Sequence, residues 1–490
     1  MLSKSLFCFM NTAPRFPGSD VPEDEIRGYE YINPAFSDAG LTLLSKLLCE
    51  KLPIGDFLDV DSMMRISPDG RYIQAALDFL YIHGYLDKLA DGEYFWTNKG
   101  MQYKAQAPLV AARLETYSMI MRALKDEIGM ANGLKGYDLE GKGDALMPAA
   151  ATFAHEGVLL DGRKVGDLLA KGELIYSKDL GDHPNSVILM NKLLEASVLA
   201  FDDSGYRITP RGKKLIALGG YAELVLSYYD PLQFLYELAM REDSYGINGN
   251  RNRDPELNAN ASNGILHVRV APYLVGALEN NEILRNAIGD NGYFIDYGSG
   301  GGDMLIQAAK NGPGTISHLF GIDINSRANY QAEKNLELEN FGDRASLLTG
   351  SIVDEDVLKD LSNRIQLGGY KGGVATINFI AHDIGPELTV EFLQLHARIF
   401  PDVPLIITET FKMSVEVCRA HPNYQASSFQ FMHDISNQHL YERAELIGLL
   451  NANGFEVFWE QVHSTMPGLG DDEKLPTIVT LITGRRGLAA

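Results

Sequence analysis

The chain has 490 residues, which suits two or three domains, and 45% of them are hydrophobic, enough to build full cores. Its formal net charge of −22, with no basic run, argues against a nucleic-acid partner, which needs clustered Lys and Arg. The three scattered cysteines, Cys8, Cys49 and Cys418, suit a reducing cytoplasm and exclude a zinc–thiolate site within the chain, and no apolar run reaches the roughly 20 residues that would span a membrane.

Residues 1–28 read as an irregular N-terminal arm with an acidic VPEDE patch. Its one lysine and short apolar stretch fall short of a secretory signal. A first module is expected over 29–135. It opens with an amphipathic helix at 36–50 (FSDAGLTLLSKLLCE), a candidate homodimer contact. Residues 57–100 then read as helix, turn, helix and hairpin, the pattern of a winged helix. A second module is expected over 136–245, where 187–215 repeats the pattern. Thr97-Asn-Lys-Gly100 aligns with Thr209-Pro-Arg-Gly212 at an offset of 112 (209 − 97), a faint internal repeat. The helices around Tyr72–Phe79 and Asn185–Leu194 are not basic, which favours dimer-forming and substrate-covering modules over DNA readers. Residues 246–290 form a connection. The Asn- and Gly-rich stretch 243–264 marks the boundary and a candidate cover over the site, and PYLVGALENNEILRNAI leads onward as a helix.

The last segment, 291–490, carries the chemistry. Tyr293-Phe-Ile-Asp296 is a short apolar run ending in an acid, followed by Gly298, Gly300, Gly301 and Gly302 and then a helical pattern. The spacing D-x-G-x-G-x-G fits a nucleotide-type cofactor at the carboxyl end of a strand. A second apolar run ends at Asp323, 27 residues later (323 − 296), one β-α-β unit away, where an acid can accept both hydroxyls of a ribose. Strands are expected at 347–354, 372–383 and 404–411, and a closing antiparallel pair at 455–463 and 476–484.

Two stretches could select an acceptor. The fourth strand ends in His382-Asp383, and a later helix carries His433, Asp434 and Gln438; the tripeptide His-Asp-Ile occurs at both, 51 residues apart (433 − 382). Three readings stand. The histidines only cap element ends; or His382 is a general base for a hydroxyl proton; or His382, His433 and Gln438 hold a divalent ion such as Fe or Mn. In the third reading the ion would acidify a carbon flanked by carbonyls. Tyr228, Tyr229 and His267 could also reach the pocket, with core packing the competing role.

This order of strands and the G-S-G-G-G turn resemble the class I S-adenosylmethionine (SAM)-dependent methyltransferases: an α/β, Rossmann-like, seven-stranded domain, here behind a mainly helical, winged-helix-like N-terminal region. A nicotinamide-binding Rossmann domain is disfavoured, because its G-x-G-x-x-G spacing is absent and two strands follow. The resemblance implies that Gly298 and Gly300 pass the methionine part of SAM and that Asp296 and Asn378 also belong to the cofactor site. Asp323 would hold its ribose, and Ile324, Ser351 and Ile352 would flank its adenine. It also implies a catalytic role for His382-Asp383, although the Trp usual after that pair is Ile384 here.

The whole chain is also similar to the metal-dependent C-methyltransferases of saxitoxin- and apratoxin-type polyketide synthases and to the α-keto-acid C-methyltransferases. Ser262-Asn263-Gly264 and the H-x-x-S-x-Q-x-L stretch His433 to Leu440 carry that likeness. It implies a metal on His433 and Gln438, with His382 as third ligand or base, and a malonyl-type or α-keto acceptor, free or on an acyl carrier protein. Metal-free O-methylation by His382 is the alternative, and a SAM- or metabolite-binding regulator with DNA-binding wings is a further one.

Overall fold

The computed structural model describes residues 57–58, 70–89, 93–104, 150, 153–154, 157–159, 161–180, 184–202, 205–217, 270–422, 426–436, 438–470 and 472–485. The expectations placed on 1–28, 36–50, 243–264, Tyr228, Tyr229 and His267 lie outside these residues.

In chain order the first elements are β1 (Phe57–Leu58), α1 (Gly70–Ile82), β2 (Leu86–Lys88), β3 (Tyr94–Trp96) and α2 (Asn98–Lys104). The three strands form an antiparallel sheet in the order β1-β3-β2. After α3 (Val165–Lys171) come α4 (Pro184–Glu195), β4 (Leu199–Asp202), β5 (Gly205–Ile208) and α5 (Pro210–Ala217), with β4 and β5 paired as a hairpin.

The repeat seen in the sequence has a physical counterpart. Thr97 Oγ1 donates within 2.9 and 3.1 Å of the carbonyls of Gly84 and Tyr85 and accepts from Gly100 N at 3.1 Å. Thr209 Oγ1 makes the same contacts with Ser197, Val198 and Gly212, at 2.8, 2.9 and 3.0 Å. A Cβ on Gly100 would lie 2.0 Å from the Tyr85 carbonyl, and one on Gly212 would lie 2.1 Å from that of Val198. In both copies the threonine ties the hairpin's return strand to the end of the preceding helix. The glycine is needed because the backbone passes so close.

The C-terminal half begins with α6 (Ala271–Asn280) and α7 (Glu282–Ile288). Strands and helices then alternate: β6 (Gly292–Tyr297), α8 (Asp303–Asn311), β7 (Ile316–Asp323), α9 (Ser326–Leu338), β8 (Ala345–Thr349), α10 (Glu355–Leu367), β9 (Gly372–Asn378), α11 (Ala381–Ile399) and β10 (Leu405–Thr410). The chain continues with α12 (Val415–Ala420), α13 (Ala426–Ile435), α14 (Arg443–Ala452), β11 (Phe455–Pro467) and β12 (Lys474–Arg485).

These strands form one seven-stranded sheet in the order β11-β12-β10-β9-β6-β7-β8. The neighbours from β10 to β8 run parallel, and β12 and β11 close the sheet antiparallel, as expected. This is a mixed α/β, Rossmann-like arrangement. Every residue of β6 is buried, as in a parallel strand covered on both faces. Its side chains alternate between two cores. Tyr293, Ile295 and Tyr297 pack with Phe320 and Phe392, whereas Phe294 packs with Met304, Leu305 and Ile406. The edge strand β11 carries three register shifts along β12, a device that blunts an open edge.

The chain builds from β6 outward to β7 and β8, then crosses back to β9 on the other side of β6. The carboxyl ends of β6 and β9 therefore flank a topological switch point, where open α/β sheets leave a crevice for ligands.

Candidate functional site

At the switch point, β6 ends in Asp296 and Tyr297 and the chain turns through glycines. Gly298 and Gly302 adopt φ of +74° and +82°, values that L side chains rarely reach. A Cβ on Gly298 would also lie 2.7 Å from Ile380 Cδ1, so the turn lies directly against the start of α11. Asp296 is 3% exposed. Burial pushes its carboxyl well above the usual carboxylate range and the Asp323 charge adds to this, while a hydrogen bond from Asn378 pulls the other way. Asn378 Nδ2 donates to Thr376 Oγ1 at 2.8 Å. Its buried Oδ1 has no partner among the described residues. A buried acceptor left that way costs about 1–3 kcal/mol, which a ligand's donor would recover.

Asp323 ends β7 one strand away. Its Oδ2 accepts from Gly300 N at 2.9 Å and its Oδ1 from Asn325 N at 2.8 Å. Burial raises this carboxyl too, and those two backbone donors offset part of the shift. Each oxygen keeps a second lone pair, so the acid is oriented without being used up. Gly350 N donates to the Asp323 carbonyl at 3.0 Å, which brings the turn after β8 alongside. There Ser351 Oγ accepts from Val353 N at 3.4 Å, and Ile352 is buried in the core. Ile324 is instead 72% exposed, so it offers the apolar surface at this end.

The second half of the site stands at the ends of β9 and β10. His382 and Asp383 occupy the first turn of α11, which is kinked at Gly385 (φ +77°) before Pro386. The kink separates this turn from the long remainder of the helix. His382 is 2% exposed, and its Nδ1 lies 2.7 Å from Glu409 Oε2. Glu409, near the end of β10, is 1% exposed. The His382 backbone N–H also points at Glu409, 3.4 Å from Oε1. On the other side of the ring, Nε2 stands 3.4 Å from Asp383 Oδ1. His433, fully buried on α13, meets His382 edge-on with ring centroids 4.9 Å apart. His439 N donates to the His382 carbonyl at 2.9 Å. Asp434 lies further out, 4.0 Å from Lys412 Nζ.

His382, His433 and Gln438 thus come together as their spacing suggested, but not as an open ligand set. His382 Nδ1 is committed to Glu409. Gln438 Oε1, the atom a metal would need, accepts from Ser436 Oγ at 2.9 Å, and Gln438 Nε2 donates to Asp383 Oδ1. Among the described residues no three His, Cys, Asp or Glu side chains are placed to hold a metal ion.

Glu409 was not anticipated. The only signal was an acid inside the apolar strand LIITET, where a charge is costly unless partnered. Three further histidines lie outside this cluster. Burial lowers His83, His396 and His463 each to about 4. His396 is held between the Tyr297 hydroxyl and the Val403 carbonyl, both at 3.1 Å. Among the described residues no helix is long and apolar enough to cross a membrane.

No family model matches the chain. Several solved structures are similar to part of it. An O-methyltransferase family protein from Burkholderia thailandensis is 16% identical with a TM-score of 0.44, covering 69% of this chain and 94% of its own. The mitomycin 7-O-methyltransferase is 14% identical with a TM-score of 0.44 and the same coverage, 69% and 94%. An O-methyltransferase from neocarzinostatin biosynthesis, in complex with SAM and 2-hydroxy-5-methyl naphthoic acid, is 15% identical with a TM-score of 0.43, covering 72% and 99%.

Proposed function

We propose that the protein is a SAM-dependent methyltransferase that methylates a hydroxyl group of a small acceptor, with His382 as general base. The observation that carries this reading is the buried His382–Glu409 pair, 2.7 Å apart at the carboxyl edge of the sheet. It stands two residues past Ile380, which packs on the glycine turn.

The switch-point residues fit SAM. Asp296 and the unpartnered Asn378 Oδ1 would receive its ammonium group, Asp323 its ribose hydroxyls and Ile324 its adenine face. The bound cofactor supplies an electrophilic methyl group on a sulfonium. Everything else falls to the chain. Glu409 accepts a charge-assisted hydrogen bond from His382 Nδ1–H, which keeps the proton on Nδ1 and the lone pair on Nε2. His382 Nε2 then accepts the acceptor's hydroxyl proton as that oxygen gains the methyl group. Glu409 stabilises the imidazolium until its proton passes to solvent. The glycine turn and the buried ring exclude water from the transfer.

Metal-assisted C-methylation of a malonyl-type or α-keto acceptor is the second reading. The edge-on approach of His433 to His382 is the observation in its favour. One experiment separates the two. The full chain is incubated with SAM and a panel of hydroxybenzoates, catechols, α-keto acids and malonyl thioesters, free or on a carrier protein, before and after chelation. Chelator-resistant methylation of a hydroxylated compound supports the first reading. In that case His382→Ala should lose about 10²–10⁴ of the turnover, the usual contribution of a positioned base. Activity that vanishes on chelation and returns with Fe or Mn supports the second.

A further inference from the structure

The helix α9 reaches every loop on the ribose side of the crevice. Its Asn335 Nδ2 donates to the Gly301 carbonyl at 2.9 Å, and the Cβ of Ala332 lies 3.1 Å from where a Cβ on Gly302 would stand. The residue that caps the helix, Asn325, gives its backbone N–H to Asp323 Oδ1. Between these contacts lies Asn329, only 6% exposed, on an inner face otherwise made of Ala328, Ala332 and Leu336. A carboxamide buried on an apolar helix face is costly unless its groups are bonded.

Asn329 is bonded through its donor end. Nδ2 lies 2.9 Å from Thr349 Oγ1, 3.0 Å from the Leu348 carbonyl and 3.3 Å from the Asp323 carbonyl. Two of these partners are carbonyls, which only accept, so the amide cannot be turned round. Its Oδ1 is buried with no partner among the described residues. The donor contacts are therefore what the side chain contributes there. All three acceptors sit where β7 and β8 part. Asp323 and Thr349 are the last pair of that ladder, and Gly350 N donates to the Asp323 carbonyl at 3.0 Å just beyond it. Past this point β7 runs on into Ile324, and β8 runs on into Ser351 and Ile352.

We propose that Asn329 is a positioning residue for the cofactor: its carboxamide clasps the ends of β7 and β8 and so fixes the Asp323 carboxylate at the distance from the Ser351–Ile352 turn that the ribose of an adenosine requires. The proposal rests on the reading of this crevice as the SAM site. Gly300 N and Asn325 N aim the carboxylate, and Gly350 N and Asn329 Nδ2 hold the backbone from which it projects. Asn329 thus acts through Asp323 and the turn after β8 rather than on the ligand itself.

The test reads ribose recognition rather than overall affinity. S-Adenosylhomocysteine and its 3′-deoxy analogue are titrated calorimetrically into the full chain. The wild type should bind the parent compound about tenfold or more tightly than the analogue, the worth of a hydrogen bond to a charged acceptor. In Asn329→Leu that ratio should fall to about threefold or less, because a displaced Asp323 no longer rewards the hydroxyl. A purely structural role would weaken both ligands equally and leave the ratio unchanged. Thr349→Val, at an exposed position, removes one of the three acceptors and serves if the leucine variant does not fold. It should lower the ratio in the same direction by a smaller factor. A wild-type ratio in the variants that fold would overturn the positioning role and leave the cofactor reading standing. Equal binding of the two ligands by the wild type, or binding of neither, would overturn the reading of Asp323 as the ribose acid itself.

Discussion

At the scale of single residues, the site trades stability for binding. Asp296 is buried and its carboxyl is raised by desolvation first and by Asp323 second. A carboxyl whose folded pKa is raised opposes folding once it must ionise, so its contribution worsens as pH rises. Asp296→Asn should therefore raise the urea midpoint at neutral pH and weaken SAM binding in calorimetry. An unchanged SAM affinity would remove Asp296 from the cofactor site. The buried histidines act with the opposite sign. His396, lowered to about 4, is neutral in the fold but protonates near 6.5 when unfolded, so its contribution is present above that value and is lost as pH falls towards 4. His396→Gln, which can still hydrogen-bond, should flatten the fall of the urea midpoint between those pH values. An identical fall in the variant would assign acid sensitivity elsewhere.

At the scale of elements, the glycines and threonines at strand and hairpin ends determine which segments can approach one another. Gly298→Ala forces a Cβ to within 2.7 Å of Ile380 and strains φ, so it should cost about 1–3 kcal/mol and loosen the His382 turn. Thr97→Val and Thr209→Val should each cost about 1–3 kcal/mol, because each hydroxyl both donates to backbone carbonyls and accepts from a glycine N–H. The two losses should add, because the hairpins are separate. Strong non-additivity in thermal melts would contradict that independence.

These elements were largely legible beforehand. Strand-length apolar runs ending in Asp296 and Asp323, separated by glycine turns and helical stretches, specify a parallel sheet by their periodicity, whereas the strand expected over 372–383 stops at Asn378 and His382-Asp383 opens the next helix instead. The matching Thr-x-x-Gly segments marked the repeat. Glu409 was not legible, because its partner His382 lies 27 residues earlier (409 − 382) and only the pairing of β9 with β10 brings them together. Gln438 was half legible. Its spacing placed it beside His433, but spacing along a chain does not say which end of an amide faces which neighbour.

At the scale of the whole molecule, the first hairpin module is joined to the segment that carries His433. Phe79 on α1 stacks on Phe431 on α13 with centroids 4.8 Å apart, and Ile82 enters the main core. The Arg419 guanidinium on α12 donates to the carbonyls of Tyr81 and Leu86, reaches Asp87 Oδ1 at 3.2 Å and lies 4.0 Å from the Tyr81 ring centroid. Burial of one face of α1 against α12 and α13 suits a wall of the acceptor site better than a free reader of DNA. Arg419→Ala should release α1 and speed its amide exchange, while β6 and β7 stay protected. Unchanged exchange in α1 would show that the aromatic contact alone holds the module.

The claim on which the rest depends is that the crevice between β6 and β9 takes SAM. Calorimetric titration of SAM into the full chain tests it most directly. The account predicts saturable one-site binding, weakened about tenfold or more in Asp323→Ala by the loss of hydrogen bonds to a charged group, and nearly unchanged in His382→Gln. Absence of saturable binding to the wild type, or equal binding by Asp323→Ala, would contradict it.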